Sequence, residues 1–190
     1  METKNVMIVG VGGQGTLLAS KLLGRMLLGK GYDVKVSEVH GMSQRGGSVV
    51  TYVRYGEKVY SPIIDKGQAD FILSFELLEA ARWTEYLKSD GKLITNFQQI
   101  SPMPVIIGAA AYPEHLVEKM QALGIDVDAI DALSLAEEAG SPKAVNIVLL
   151  GRLAKWFDFT REEWMTAIEE SVPPKFLELN KKAFILGCEA

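Results

Sequence analysis

The sequence holds one cysteine, Cys188, and two histidines, His40 and His115. A single thiol excludes a disulfide within the chain. So small a set of soft ligands argues against a cysteine-ligated iron–sulfur cluster or a structural zinc site. Basic charge is also short. Lys and Arg total 20 against 24 Asp and Glu, a net charge of −4, whereas nucleic-acid binding calls for a basic face. No apolar run approaches the roughly 20 residues of a membrane helix. Residues 1–5 lead straight into an apolar strand, with no basic segment and apolar core of a secretory signal, so a cytoplasmic protein is expected. Absent too are a Gly-Lys-Ser/Thr after the first glycines, a nucleophile elbow, and an acid/base pair at a persuasive spacing. A binding or helper subunit is therefore a better starting point than a self-sufficient enzyme.

What is present is a core-forming composition, with 48% hydrophobic and 23% charged residues in 190. That suits one domain spanning residues 1–190. The chain is organised around its first turn, Gly10, Val11, Gly12, Gly13, Gln14 and Gly15. An apolar strand, residues 6–9, enters it, and an amphipathic helix, residues 15–28, leaves it. Four glycines in six residues let a backbone approach a ligand and adopt dihedrals closed to other residues. The unpaired N–H groups of the following helix start then face an anion, assisted by the helix dipole. Gln14 and Thr16 are placed to add side-chain hydrogen bonds. The spacing fits G-x-G-x-x-G, which by itself is weak evidence for a nicotinamide cofactor. Glu38 lies near the place of a ribose-binding acid, but a second mononucleotide-binding half and a substrate domain are missing. A bare phosphate or pyrophosphate cradle fits better.

The rest of the chain reads as strands over residues 32–39, 48–55, 69–75, 92–96 and 125–131, with a short partner strand at Val59 and Tyr60. Ser89, Asp90 and Gly91 signal a turn before the fourth of these. Helices are expected over residues 76–86, 113–123, 143–156, 160–171 and 175–186, and a short one follows a capping-box pattern at Ser134 and Glu137. Residues 97–111 read as an irregular crossing with a possible short strand at Val105, Ile106 and Ile107. Consecutive early strands with no helix between them require some antiparallel pairing. The fold class is α/β: a three-layer Rossmann-like domain with a mixed, mostly parallel sheet and a helical carboxy-terminal part.

A second concentration of chemistry lies at residues 40–47. Arg45 offers a bidentate grip on phosphate or carboxylate. Ser43 and Gln44 are hydrogen-bonding groups, and Gly46 and Gly47 admit close backbone approach. If the strand before this loop runs parallel to the first, both loops emerge at the carboxyl edge of the sheet, where ligands of open α/β sheets bind. His40 reads as an ordinary loop histidine more readily than as a general base. Asn146, in the most apolar helix, needs a hydrogen-bond partner. That partner is a neighbouring loop carbonyl or, alternatively, a ligand or partner chain. Gly151 permits close approach of another element. Three readings follow: an anion-binding accessory subunit, a nicotinamide-binding reductase, and a scaffold whose glycine turn meets a partner backbone.

Two stretches taken together, residues 9–15 and 38–49, resemble the γ subunit or domain of the 2-oxoacid:ferredoxin oxidoreductases, most closely the small (β) subunit type of the indolepyruvate enzymes. The resemblance extends to Ala69 and Asp70, to Asn146, and to Leu150 and Gly151. It implies a complex in which a 2-oxo acid is decarboxylated on thiamine diphosphate, oxidised by [4Fe-4S] clusters, and transferred to coenzyme A, with ferredoxin taking the electrons. Those cofactors are then carried by a large partner subunit, and ferredoxin is met only indirectly. This chain is expected to bind no cofactor alone, to handle coenzyme A through Gly10, Gly12, Gly13, Gln14, Gly15, Thr16, Ser43, Gln44, Arg45, Gly46, Gly47 and Asn146, and to be inactive by itself. No nucleic acid or membrane partner is expected, and a homodimer of the isolated chain is plausible.

Overall fold

The structure is a computed structural model and describes residues 2–38, 43 and 45–190. Six strands form one sheet: β1 (Lys4–Val11), β2 (Asp33–Glu38), β3 (Ser48–Gly56), β4 (Ala69–Ser74), β5 (Leu87–Asn96) and β6 (Asp126–Ile130). Their order is β2-β3-β1-β4-β5-β6. β1, β4, β5 and β6 pair in parallel, whereas β3 is antiparallel to both its neighbours, β1 and β2. All strands but β3 therefore run the same way, giving the mixed, mostly parallel sheet expected.

The helices are α1 (Thr16–Gly29), α2 (Leu77–Arg82), α3 (Met103–Ile106), α4 (Leu116–Ala122), α5 (Ala132–Ala139), α6 (Val145–Ala154), α7 (Arg161–Ser171) and α8 (Leu177–Glu189). β1 reads as an unbroken apolar run because both its faces are covered. Val6 and Ile8 pack beneath α1 and the carboxy-terminal helices. Met7 and Val9 pack beneath α2 and α4. These are the three layers.

α6 is buried at every position except Arg152, which forks onto Asp128 of β6 at 2.8 Å through two nitrogens. Its other side meets α8 at the closest helix contact of the fold. A Cβ on Gly151 would lie 2.2 Å from the Phe184 carbonyl oxygen, and one on Gly187 would lie 1.9 Å from that of Val148. The close approach expected of Gly151 is thus met by a second glycine on the facing helix.

Several local expectations are corrected. Val59 and Tyr60 form no strand, because the Asp33 carboxylate takes the Val59 N–H at 2.9 Å. Ser89, Asp90 and Gly91 are no turn. They lie within β5, where the register against β4 shifts, and a Cβ on Gly91 would sit 2.8 Å from the Ala69 carbonyl oxygen. Val105 and Ile106 belong to α3 instead of a strand, since their N–H groups fold back onto the Pro102 carbonyl at 2.9 and 3.1 Å. Helix α4 starts at Leu116, after His115 in the left-handed region, and not at Pro113. Asp131, not Ser134, caps α5, accepting from the Ser134 N–H at 3.1 Å. The capping box of Thr160 and Glu163 at α7 forms as expected.

Two outcomes follow. Gly187→Ala drives a methyl group into backbone and should cost at least about 2 kcal/mol, because neither helix yields without unpacking the core. In a domain of this size that is a fall in Tm of roughly 4–8 °C by differential scanning calorimetry. A charge-assisted hydrogen bond from Lys30, with the Thr160 N–H, holds the Glu163 carboxyl below the ordinary glutamate value. A depressed native pKa contributes stability above the unfolded value of about 4.3 and loses it as the pH falls through the native one. Glu163→Gln should therefore lower Tm at neutral pH, with the difference from the unaltered chain shrinking in acid.

Candidate functional site

The site is built at the carboxyl edge of β1. Since β3 runs backward between them, β2 points the same way as β1. The loop after β2 therefore returns beside the first glycine turn. The β1–β3 ladder runs to Val11 opposite Ser48 and then continues past the strands. The Gly12 N–H donates to the Gly47 carbonyl at 2.8 Å, and the Gly46 N–H donates to the Gly12 carbonyl at 3.2 Å. The two glycine loops are thus joined backbone to backbone. The Gly47 N–H also closes a turn onto the Ser43 carbonyl at 3.0 Å.

Behind this surface, side chains fix the turn. The Gln14 carboxamide accepts from the Val11 N–H at 2.7 Å. It donates to the Phe75 carbonyl at 3.0 Å and to the Gln98 side-chain oxygen at 3.2 Å. A Cβ on Gly10 would fall 2.8 Å from that same Gln14 oxygen and 3.0 Å from Phe75 Cβ. Gly15 has φ 89° and faces Asn146, whose Nδ2 would lie 2.7 Å from an added Cβ. Asn146 Nδ2 donates to the Gly15 carbonyl at 3.3 Å. The expected contact of Asn146 with a neighbouring loop carbonyl is therefore present. Gln14 differs from the expectation of a ligand-facing amide: both its polar atoms are engaged within the protein. Gln14 and Asn146 act as positioning residues.

What they position is an open helix start. Gly15 precedes α1 in the left-handed conformation, with no side-chain cap and no acid in the first turn. Its first N–H groups are thereby left to an outside acceptor. A cleft of about 260 Å³ opens in front, lined by Gly12, Gly13, Gly15, Thr16, Glu38 and Thr51. This lies below the size of a drug-sized ligand pocket. It has room for a phosphate or pyrophosphate group but not for a whole dinucleotide or coenzyme A. Arg45 and Gly46 are exposed, and Gly46 is tied to the first turn through its bond to the Gly12 carbonyl. Gln44 and His40 fall outside the described residues. Glu38 lines the same cleft and accepts from the Ser20 hydroxyl at 3.0 Å.

Sequence reasoning missed a buried carboxylate, Glu76, which is only 1% exposed. It caps α2 through the Glu79 N–H at 2.8 Å. Its other oxygen accepts from the Ile100 N–H at 3.0 Å and from the Tyr112 hydroxyl. Tyr112 itself accepts from the Leu78 N–H at 2.9 Å. Burial, with the Glu76 bond second, pushes the phenol pKa up, so the hydroxyl stays a donor. An acid directly after an apolar strand and before a helix was the available signal. No group of three His, Cys, Asp or Glu that could hold a metal occurs among the described residues.

A family model described as pyruvate ferredoxin/flavodoxin oxidoreductase matches residues 5–190. The chain is 46% identical to the indolepyruvate oxidoreductase subunit IorB of Thermococcus kodakarensis, covering all of this chain and 96% of that one. It is 37% identical to the subunit of the same name from Archaeoglobus fulgidus, over 96% of this chain and 92% of the relative. Among solved structures, the pyruvate oxidoreductase subunit PORC of Thermotoga maritima superposes with a TM-score of 0.76 at 20% identity, covering 100% and 97% of the two chains. The 2-oxoglutarate:ferredoxin oxidoreductase of Magnetococcus marinus gives a TM-score of 0.76 at 17% identity. All of this chain matches, but only 31% of that larger one. These two likenesses speak to the fold. With the family match over nearly its whole length and full-length relatives at this identity, the chain belongs to the pyruvate ferredoxin/flavodoxin oxidoreductase family.

Proposed function

We propose that this chain is the accessory subunit of an oxidoreductase that decarboxylates indolepyruvate or a related arylpyruvate and passes the electrons to ferredoxin. Its joined glycine loops hold a phosphate of coenzyme A against the partner's active site. The observation that carries the reading is the uncapped start of α1 behind two hydrogen-bonded glycine loops, with an exposed Arg45 next to Gly46 in the second. The 46% identical relative is an indolepyruvate oxidoreductase subunit, and the Magnetococcus marinus structure was solved with coenzyme A and succinyl-CoA bound. Thiamine diphosphate and [4Fe-4S] clusters on a larger subunit supply the carbon–carbon cleavage and the electron path. With a single cysteine, this chain has no thiolate set for such a cluster.

The chain's own residues bind and orient. Glycine N–H groups and the α1 dipole meet phosphate oxygens, and the Arg45 guanidinium forks onto the same anion. Gln14 and Asn146 keep the N–H groups aimed, so little ordering remains for the moment of binding. The cleft is too small for a whole coenzyme A, so the partner's surface closes the rest. A nicotinamide site is disfavoured by the strand order. Two strand spacings, about 10 Å, separate β1 from β2, because β3 stands where a Rossmann unit has its second parallel strand. The scaffold reading draws on one observation, the Glu38 carboxylate in the cleft, which opposes an anion.

In the reconstituted complex, Arg45→Ala should raise the KM for coenzyme A about tenfold or more, the cost of one lost charge-assisted hydrogen bond. Gly13→Val should act similarly by blocking backbone approach while leaving subunit association intact. If both variants keep the KM and kcat of the unaltered complex, the scaffold reading wins. Assayed with indolepyruvate, pyruvate and branched-chain oxo acids, the complex should show its highest kcat/KM on indolepyruvate, and the isolated chain should turn over none of them.

A further inference from the structure

Between Lys92 and Glu114 the chain carries no charged residue. Such a stretch is expected to be buried, yet its middle is not. Met103 is 65% exposed, Ile106 66% and Ile107 68%, and Phe97 at the base is 49% exposed. Ala109, Ala110 and Ala111 are exposed as well. The excursion leaves β5 at the carboxyl edge of the sheet, turns through α3, and returns toward α4.

This is a built feature. Its own backbone folds it into a compact knot: the Ile107 N–H donates to the Met103 carbonyl at 3.0 Å, and the Ala109 N–H donates to that of Pro104 at 2.8 Å. Both ends of its neck, the Ile100 N–H and the Tyr112 hydroxyl, are fastened to one oxygen of buried Glu76. Gln98, at its base, accepts from Gln14 of the glycine turn. Its tip shares a cleft of about 230 Å³ with the second glycine loop, lined by Gly46, Gly47, Pro102 and Met103 together with the ion-paired Glu79 and Arg82. A preformed, uncharged, apolar surface kept in water is the mark of a protein interface. Two exposed aromatic side chains elsewhere differ, each lying under a cation. Lys92 lies 4.0 Å over the Trp156 ring, and Lys58 lies near that of Tyr60.

We propose that the excursion over residues 97–111 is the docking platform for the larger, cofactor-bearing subunit. This rests on the accessory-subunit reading above and adds where the two chains meet. Opposite Met103, Ile106 and Ile107, which carry no charge, an apolar, charge-poor partner surface is called for. Continuity with Gly46 and Gly47 selects the occupant. A subunit seated on Met103, Ile106 and Ile107 reaches the second glycine loop, whose Gly46 and Gly47 are bonded to Gly12 of the phosphate cleft. A second copy of this chain seated there would bring together two phosphate cradles and no reaction centre. Docking and coenzyme A binding then act on one rigid body, through Gln14, Gln98 and Glu76.

The test is the affinity of the full chain for its separately produced large subunit, measured by calorimetry. Ile106→Asp with Ile107→Asp should raise Kd about 100-fold or more, the loss of two central apolar anchors. Met103→Ser gives a milder loss by the same contact. Leu123→Asp, exposed but outside the platform, should leave Kd within about threefold. Circular dichroism and Tm of the variants establish folding, which these solvent-facing side chains do not support. If the unaltered chain binds and the double variant binds equally well, the platform is not the interface, while the accessory-subunit reading stands. If the unaltered chain does not bind at micromolar concentration, the accessory-subunit reading falls and the platform with it. A self-dimer broken by the double variant, with unchanged subunit binding, assigns the platform to a second copy and overturns the proposal.

Discussion

The pair of backbone hydrogen bonds between Gly12 and the Gly46–Gly47 turn is the constraint on which the rest of the candidate site depends. Two loops from distant parts of the chain become one surface. Gln14 braces the first loop from behind, and the joint between the loops is made through the main chain. The arrangement works because β3 runs backward between β1 and β2, so the ladder that ends at Val11 and Ser48 can extend past the strands. A joint made through the main chain costs no side-chain entropy to preorganise, and the exposed Arg45 takes no part in it.

Around that surface, buried and half-buried polar groups are placed as struts, and each meets its partners. Gln14 spans from Val11 to Phe75 and Gln98, Asn146 reaches Gly15 from α6, and Glu76 gathers Glu79, Ile100 and Tyr112. A buried polar group left unpaired is costly, so such groups specify one loop conformation over its neighbours. The two ends of this network carry opposite characters. One end presents N–H groups suited to an anion. The other presents an uncharged apolar platform. The proposed role, completing another chain's active site, uses both, held at a fixed separation.

Much of the fold was legible because period and punctuation agreed. The apolar run entering Gly10, the alternation around Val34 and Val36, and the capping box at Thr160 each named their element. The failures were places where a contact distant in sequence won. Asp33 took the N–H that Val59 needed for a strand. Gly91 allowed β5 to bulge where a turn was expected. Val105 and Ile106, by contrast, became helix through a local contact, the Pro102 carbonyl. In the candidate site, the glycines and Arg45 were visible from residue type, but the engagement of the Gln14 amide was not. A carboxamide beside glycines looks the same whether it faces a ligand or Phe75.

By itself, the sequence determined the α/β class, the glycine turn at the first strand's end, the lack of a cluster-ligating cysteine set, and a resemblance that the family match over residues 5–190 agrees with. These are local or compositional properties, readable from the order and chemistry of neighbouring residues. Only the tertiary structure decided that the second glycine loop meets the first. The same holds for Glu76 clasping the neck of residues 97–111, and for the uncharged stretch lying outside the core and not within it. Those outcomes follow from strand direction and from burial, which depend on the whole chain closing on itself.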